Sequence, residues 1–168
     1  MLDAALLIPF PLMMAFAASS DLFTMTIPNR LALALVAGFA VMAPLAGLSL
    51  ETIGMHLAAG ALVLVVTFGM FAFGWIGGGD AKLAAATALW LGFGTLLDYL
   101  LLSAVAGGAL TLGLLAARQL PLPPFAAGWP WLAKLHDHRT GIPYGIALAG
   151  AALVVYPECD LWISALRT

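Results

Sequence analysis

Apolar residues fill this chain in long blocks, and the polar positions between them are few and clustered. The first block runs from about Ala4 to Ser20 and ends at Asp21. The second covers about Leu31 to Leu48, the third about Met55 to Trp75, and the last about Ile142 to Tyr156. About 20 apolar residues span the roughly 30 Å of a bilayer's hydrocarbon core, so each block reads as a membrane helix. Ile27-Pro28-Asn29 marks the entry to the second helix, because proline suits a helix start and disfavours helix in the residue before it.

Leu83 to Ala117 behaves differently. These 35 residues carry one charge, Asp98. As one straight helix they would be roughly 52 Å long, far more than a bilayer needs. The segment is therefore expected to turn, with Gly92, Gly94 and Asp98 supplying the break. That gives a short fourth span and a fifth from about Tyr99 to Ala117. A polar, proline-rich loop from Arg118 to Thr140 precedes the sixth.

Composition supports this layout. The chain has 168 residues, 64% hydrophobic and 8% charged, whereas soluble domains carry roughly 25% charged residues. The expected fold is an all-α integral membrane protein of about six transmembrane helices, with residues 1–168 forming a single polytopic domain. The first block lacks the basic start of a signal peptide and is read as a retained span. A net charge of −2 gives no reason to expect a nucleic-acid partner. The sole cysteine, Cys159, excludes an intrachain disulfide and a cysteine-built metal site.

Charge also orients the chain. The loops after the first, third and fifth spans hold Arg30, Lys82, Arg118, Lys134 and Arg139, and the opposite side holds Arg167. The positive-inside rule makes the first side cytoplasmic and both termini extracytoplasmic. Asp3, Glu51, Asp98, Glu158 and Asp160 then fall outside. Asp21 and Asp80 fall at cytoplasmic helix ends, at similar depth.

Asp80 follows three glycines in Gly74-Trp75-Ile76-Gly77-Gly78-Gly79-Asp80-Ala81-Lys82-Leu83. Ionisable groups at a membrane border are candidates for function. Two carboxyls brought together tend to share one proton, so that one activates water while the other protonates a carbonyl oxygen. Glycines beside Asp80 would let a substrate or a helix approach closely. On spacing alone, Asp80 is also open to being a helix N-cap and the glycines a plain break. The run is not a phosphate-binding loop, since the Gly-Lys-Ser/Thr ending is missing.

Other polar residues carry plainer expectations. Lys82 is expected to snorkel to the headgroups, and Arg30 to anchor topology. Pro28 and Asn29 should fix the loop that presents Asp21. Trp129 and Trp131 should seat the long loop at the interface, and His56 should lie at the outer border. Gly107 and Gly108 should permit close helix packing. His136-Asp137-His138 is not read as a metal site, because positions i and i+2 diverge on a helix.

Together these motifs resemble the prepilin peptidase family of polytopic aspartyl proteases. Gly77-x-Gly79-Asp80 fits that family's Gly-x-Gly-Asp motif, and Ala81-Lys82-Leu83 extends it. Asp21 followed by Ile27-Pro28-Asn29 resembles its other aspartate motif. Gly141-Ile142-Pro143-Tyr144-Gly145 resembles its entry to the last helix. The resemblance implies Asp21 and Asp80 as the catalytic pair, with Gly77, Gly79, Lys82, Pro28, Asn29, Pro143 and Gly145 in support and neither cofactor nor metal. It implies prepilin and pseudopilin substrates and a place in the bacterial inner membrane, embedded in the lipid bilayer. The chain lacks the cysteine-rich insert of the larger members, and methyl transfer is not expected. It is similar to the short, CpaA/TadV-like form associated with tight-adherence (Flp-type) pili. Relatives often carry basic residues after the first aspartate, where this chain has Phe23, Thr24, Met25 and Thr26. The alternatives are a preflagellin or other Gly-x-Gly-Asp protease, or a small proton or cation transporter using the paired aspartates.

Overall fold

The computed structural model describes residues 7–122 and 128–167, so the expected start of the first span at Ala4 lies outside the described residues. Among them the regular structure is entirely helical. The order is α1 (Pro9–Thr24), α2 (Asn29–Leu45), α3 (Leu50–Ala72), α4 (Gly78–Arg118), α5 (Pro130–His136), α6 (Gly145–Val155), a 3-10 turn (Tyr156–Glu158) and α7 (Asp160–Ala165). Helices α3 and α4 are long and apolar enough to cross a membrane, and α2 and α6 are shorter apolar helices. Leu33, Val65, Phe68, Val105 and Leu112 remain exposed on the outside of the bundle. Lipid is a solvent in which such a surface needs no further cover.

The expected break in the long apolar run falls at Gly92, whose φ of 69° and ψ of −179° lie outside the helical region. Only glycine adopts that pair without strain. Thr87 and Tyr99 would stand roughly 18 Å apart on a straight helix, yet they lie side by side. The chain therefore doubles back at Gly92 into two arms. Gly94 and Asp98, expected within the break, continue the helix of the second arm. One glycine suffices because the reversal needs a single non-helical residue.

The first arm is the centre of the bundle. Every residue from Leu83 to Gly92 is buried, as expected of a segment apolar on all faces. Its Trp90 lies 5.1 Å from Phe10 of α1 between ring centres. The Trp90 indole N–H donates to the carbonyl of Leu35 in α2 at 2.8 Å. Tyr156 closes the aromatic cluster, 4.4 Å from Phe10.

His56 lies toward the outer end of its span, beside Asp160, but its ring turns inward rather than to the border. It is fully buried, its Nδ1 lies 2.9 Å from the Leu89 carbonyl oxygen, and its ring stacks on Phe39. The ring fills the space beneath Gly92, where an added Cβ would come within 2.7 Å of Nε2. Its Nε2 stands 3.5 Å from Asp160 Oδ2. Glu51 also moves, from a connection into the first turn of α3, where Ser49 caps the helix by accepting the Thr52 N–H at 3.1 Å. The helices α5 and α7 were not expected. The glycine pair behaves unequally: Gly107 receives the ring of Tyr144, whereas a Cβ added at Gly108 would have none of the described residues' side chains within 4 Å.

Charged groups sort to the two ends of the bundle. Lys82 reaches Asn29, Lys134 reaches the Thr24 carbonyl, and Arg118 reaches Gly141. Glu51, His56 and Asp160 share a cavity at the far end, and Asp98 and Glu158 share another beside it.

Candidate active site

Asp21 lies in the last turn of α1 rather than just beyond it, and it is buried. The helix ends at Met25, which adopts a left-handed conformation with φ 57° and donates its N–H to the Asp21 carbonyl at 2.9 Å. This cap is unusual for a residue with a side chain. Local hydroxyls hold it. Ser20 Oγ donates to the Thr26 carbonyl at 2.8 Å, Thr24 Oγ1 donates to the Ser20 carbonyl at 2.6 Å, and the hydroxyls of Thr24 and Thr26 lie 2.7 Å apart. Lys134 Nζ donates to the Thr24 carbonyl at 2.8 Å. Thr24 and Thr26 thus close the turn behind Asp21.

Pro28 is the N-cap of α2, extended at ψ 138°, and its carbonyl accepts the Leu31 N–H at 3.0 Å. Between Met25 and Pro28, Ile27 points inward. An added Cβ on Gly79 would come within 3.2 Å of Ile27 Cβ, and one on Gly145 within 2.8 Å of Ile27 Cδ1. Ile27 thus wedges between the starts of α4 and α6, a role that the sequence did not signal.

Asp80 is not the N-cap of α4. Gly77 holds that position, which makes Asp80 the third helical residue. A carboxylate there turns back to the free amides of the first turn, and the Asp80 side chain does face the Gly77 backbone. An added Cβ on Gly77 would come within 2.8 Å of Asp80 Oδ2. The glycines therefore clear space for the carboxylate, as well as for Ile27.

The two carboxyls meet in one cavity of about 260 Å³, lined by Asp21, Met25, Thr26, Ile27, Gly77, Gly78, Gly79 and Asp80. The third motif joins them. Pro143 is buried and its carbonyl accepts the Ile146 N–H at 3.3 Å, opening the first turn of α6. The Gly145 N–H, unsatisfied within that turn, donates to Asp21 Oδ2 at 2.7 Å. Tyr144 donates its hydroxyl to the Ser103 carbonyl at 3.1 Å and so fixes α6 to the second arm of α4.

The remaining candidates fall around this site. Lys82, though exposed, ends on Asn29 Oδ1 at 2.8 Å. Arg118 is buried and organises the long loop. Its Nε donates to the Leu135 carbonyl at 2.8 Å and its guanidinium to the Gly141 carbonyl at 2.9 Å. His138 Nε2 lies 3.1 Å from the Arg118 carbonyl oxygen, and Asp137 accepts the Arg139 N–H at 2.9 Å. Trp131 packs edge-on against Phe23, with ring centres 5.5 Å apart, and stacks on Trp129.

Residues 8–112 match the model of the type IV leader peptidase family. The matched stretch contains Asp21 and Asp80 and ends before Pro143 and Gly145. No curated protein and no solved structure matches the chain.

Proposed function

We propose, since this chain belongs to the type IV leader peptidase family, that it is a membrane aspartyl endopeptidase whose catalytic pair is Asp21 and Asp80. The observation that carries this reading is their convergence. Two carboxyls 59 positions apart in sequence line one small cavity at one end of the bundle. A carboxyl pair that shares one proton has both groups that peptide hydrolysis needs.

The chemistry follows from that arrangement. The ionised carboxyl takes a proton from a water molecule, and the resulting hydroxide attacks the scissile carbonyl carbon. The protonated carboxyl donates to the carbonyl oxygen as it becomes negative. Collapse of the tetrahedral intermediate breaks the C–N bond, and a proton passes to the leaving amine. The pair titrates as a unit. Gly145 orients Asp21 by binding one carboxylate oxygen, which leaves the other free for water. Gly77 leaves room for the Asp80 carboxylate to turn back into the cavity, and Gly79 leaves room for Ile27 beside it.

The substrate is a prepilin or pseudopilin with a basic leader followed by an apolar helix, cut where the helix leaves the cytoplasmic border. About six spans in the bacterial inner membrane, with both termini outside, would place the cavity at that border. The lone Cys159, which leaves no cysteine-rich insert within residues 1–168, fits the short form that serves Flp-type pili. The test is coexpression with a candidate Flp-type prepilin, scored by leader removal on a gel and by mass of the new N-terminus. Release of a leader-length peptide supports the reading. An unprocessed substrate at matched expression overturns the substrate class.

A further inference from the structure

The two carboxyls come from separate segments, and no covalent link sets their separation. Asp21 stands at the end of α1, and Asp80 belongs to the first turn of α4. We infer that Lys82 and Asn29 form a latch that holds the loop after Asp21 against the start of α4, which makes Lys82 a positioning residue for the catalytic pair. The inference rests on the peptidase reading of Asp21 and Asp80.

The geometry supplies the argument. Lys82 lies two positions past Asp80, so on a helix it projects roughly 200° round the axis from it. It therefore cannot serve the cavity directly. Its Nζ reaches instead to Asn29 Oδ1 at 2.8 Å, at the first residue of α2. Among the described residues this is the one side-chain hydrogen bond between the segment that follows Asp21 and the start of α4. Two positions before Asn29, Ile27 fills the cleft between Gly79 and Gly145, where added Cβ atoms would come within 3.2 Å and 2.8 Å of it. The loop is thus gripped on both sides, by apolar packing toward the cavity and by the lysine on the opposite face of α4. Without the lysine, the start of α2 is held to α4 by packing alone, and Ile27 is free to back out of its cleft. Asp21 would then drift from Asp80. A headgroup anchor would not need the lysine to end on a specific amide oxygen.

The latch makes its own kinetic signature. Purified enzyme is assayed on a Flp-type prepilin in nanodiscs. Lys82→Met and Asn29→Leu should each lower kcat between roughly tenfold and a hundredfold, the scale of a small misplacement of reacting groups, with little change in KM. The double variant should be no slower than the slower single, since the two residues act as one unit. Asn29→Asp keeps an acceptor oxygen and should restore most of the rate. Additive losses, a loss confined to KM, or equal losses in Asn29→Asp and Asn29→Leu would overturn the latch.

A second measurement does not depend on cleavage. Spin labels at Thr26→Cys and Trp75→Cys, in a Cys159→Ala background, report through dipolar broadening the gap between the loop after Asp21 and the turn that leads into α4. Asn29→Leu should weaken the broadening and Asn29→Asp should keep it. An unchanged spectrum in Asn29→Leu overturns the latch. If the unmodified enzyme cleaves no prepilin, the substrate reading fails and this spectrum alone decides the latch.

Discussion

The backbone N–H of Gly145 donates to Asp21 Oδ2 at 2.7 Å, across 124 positions of sequence. Each group solves a problem for the other. The first amides of a helix have no partner within it, and a buried carboxylate needs donors. The contact requires glycine, because an added Cβ would come within 2.8 Å of the same oxygen.

Gly145→Ala is therefore expected to displace Asp21 and Ile27 together. Cleavage should fall by roughly a hundredfold, in line with small misplacements at a reacting centre. Leader removal at matched protein levels checks this, with circular dichroism of the purified variant as the control for folding. Cleavage at the normal rate would mean that α6 does not position Asp21.

Asp21→Asn and Asp80→Asn should each abolish cleavage while the protein still inserts in the membrane. The double variant should be little worse than either single, because the pair acts as one unit. Asp98 is exposed and lies toward the other end of the bundle, so Asp98→Asn should cleave normally. A membrane cleavage assay with immunoblot normalisation decides the matter. Near-normal activity in Asp80→Asn would sink the aspartyl assignment.

Gly92→Ala tests the reversal in α4. It combines a left-handed backbone with a collision against the His56 ring, and it should cost about 2–4 kcal/mol. In a His56→Ala background the collision disappears and the backbone strain remains, so the same substitution should cost about 1–2 kcal/mol. Unfolding of the purified proteins in mixed micelles measures both. Equal costs in the two backgrounds would remove His56 from the account of the turn.

Cys159 is 1% exposed, and burial pushes its thiol up to about 11. The thiolate is the reactive form, so maleimide labelling should be slow at pH 7 and should accelerate as pH rises through the alkaline range. It is a poor topology probe. Glu158→Cys and Arg139→Cys, both exposed positions, serve better in a Cys159→Ala background. The six-span layout expects a membrane-impermeant maleimide to label the first in intact spheroplasts and the second only after disruption. The reverse pattern would invert the topology.

Much of this protein was legible from local pattern. The apolar blocks foretold helices, and the length of the run after Leu83 required a turn. Glycines before Asp80 pointed to close approach at a carboxylate. Asp21 and Asp80 stood out as carboxyls at helix ends of similar depth, whereas Gly145 came to notice only through the family resemblance. The end of the bundle at which His56 lies was legible, but the burial of its ring was not. Its burial follows from the carbonyl of Leu89 and the space under Gly92, which exist only after α4 has folded back.

The sequence by itself determined the solvent and the long apolar helices, though not α5 and α7: a chain this apolar, with this few charges, must satisfy its backbone within helices. It also determined which carboxyls lie at helix ends. Only the tertiary structure decided that Gly92 alone reverses α4, that Ile27 seats between Gly79 and Gly145, and that Lys82 ends on Asn29. It alone brought Asp21 and Asp80 to one cavity. The reason is physical. Helix formation is set by contacts three or four residues apart, which a sequence displays. The separation of two side chains on different helices is set by packing among distant segments, which a sequence does not display.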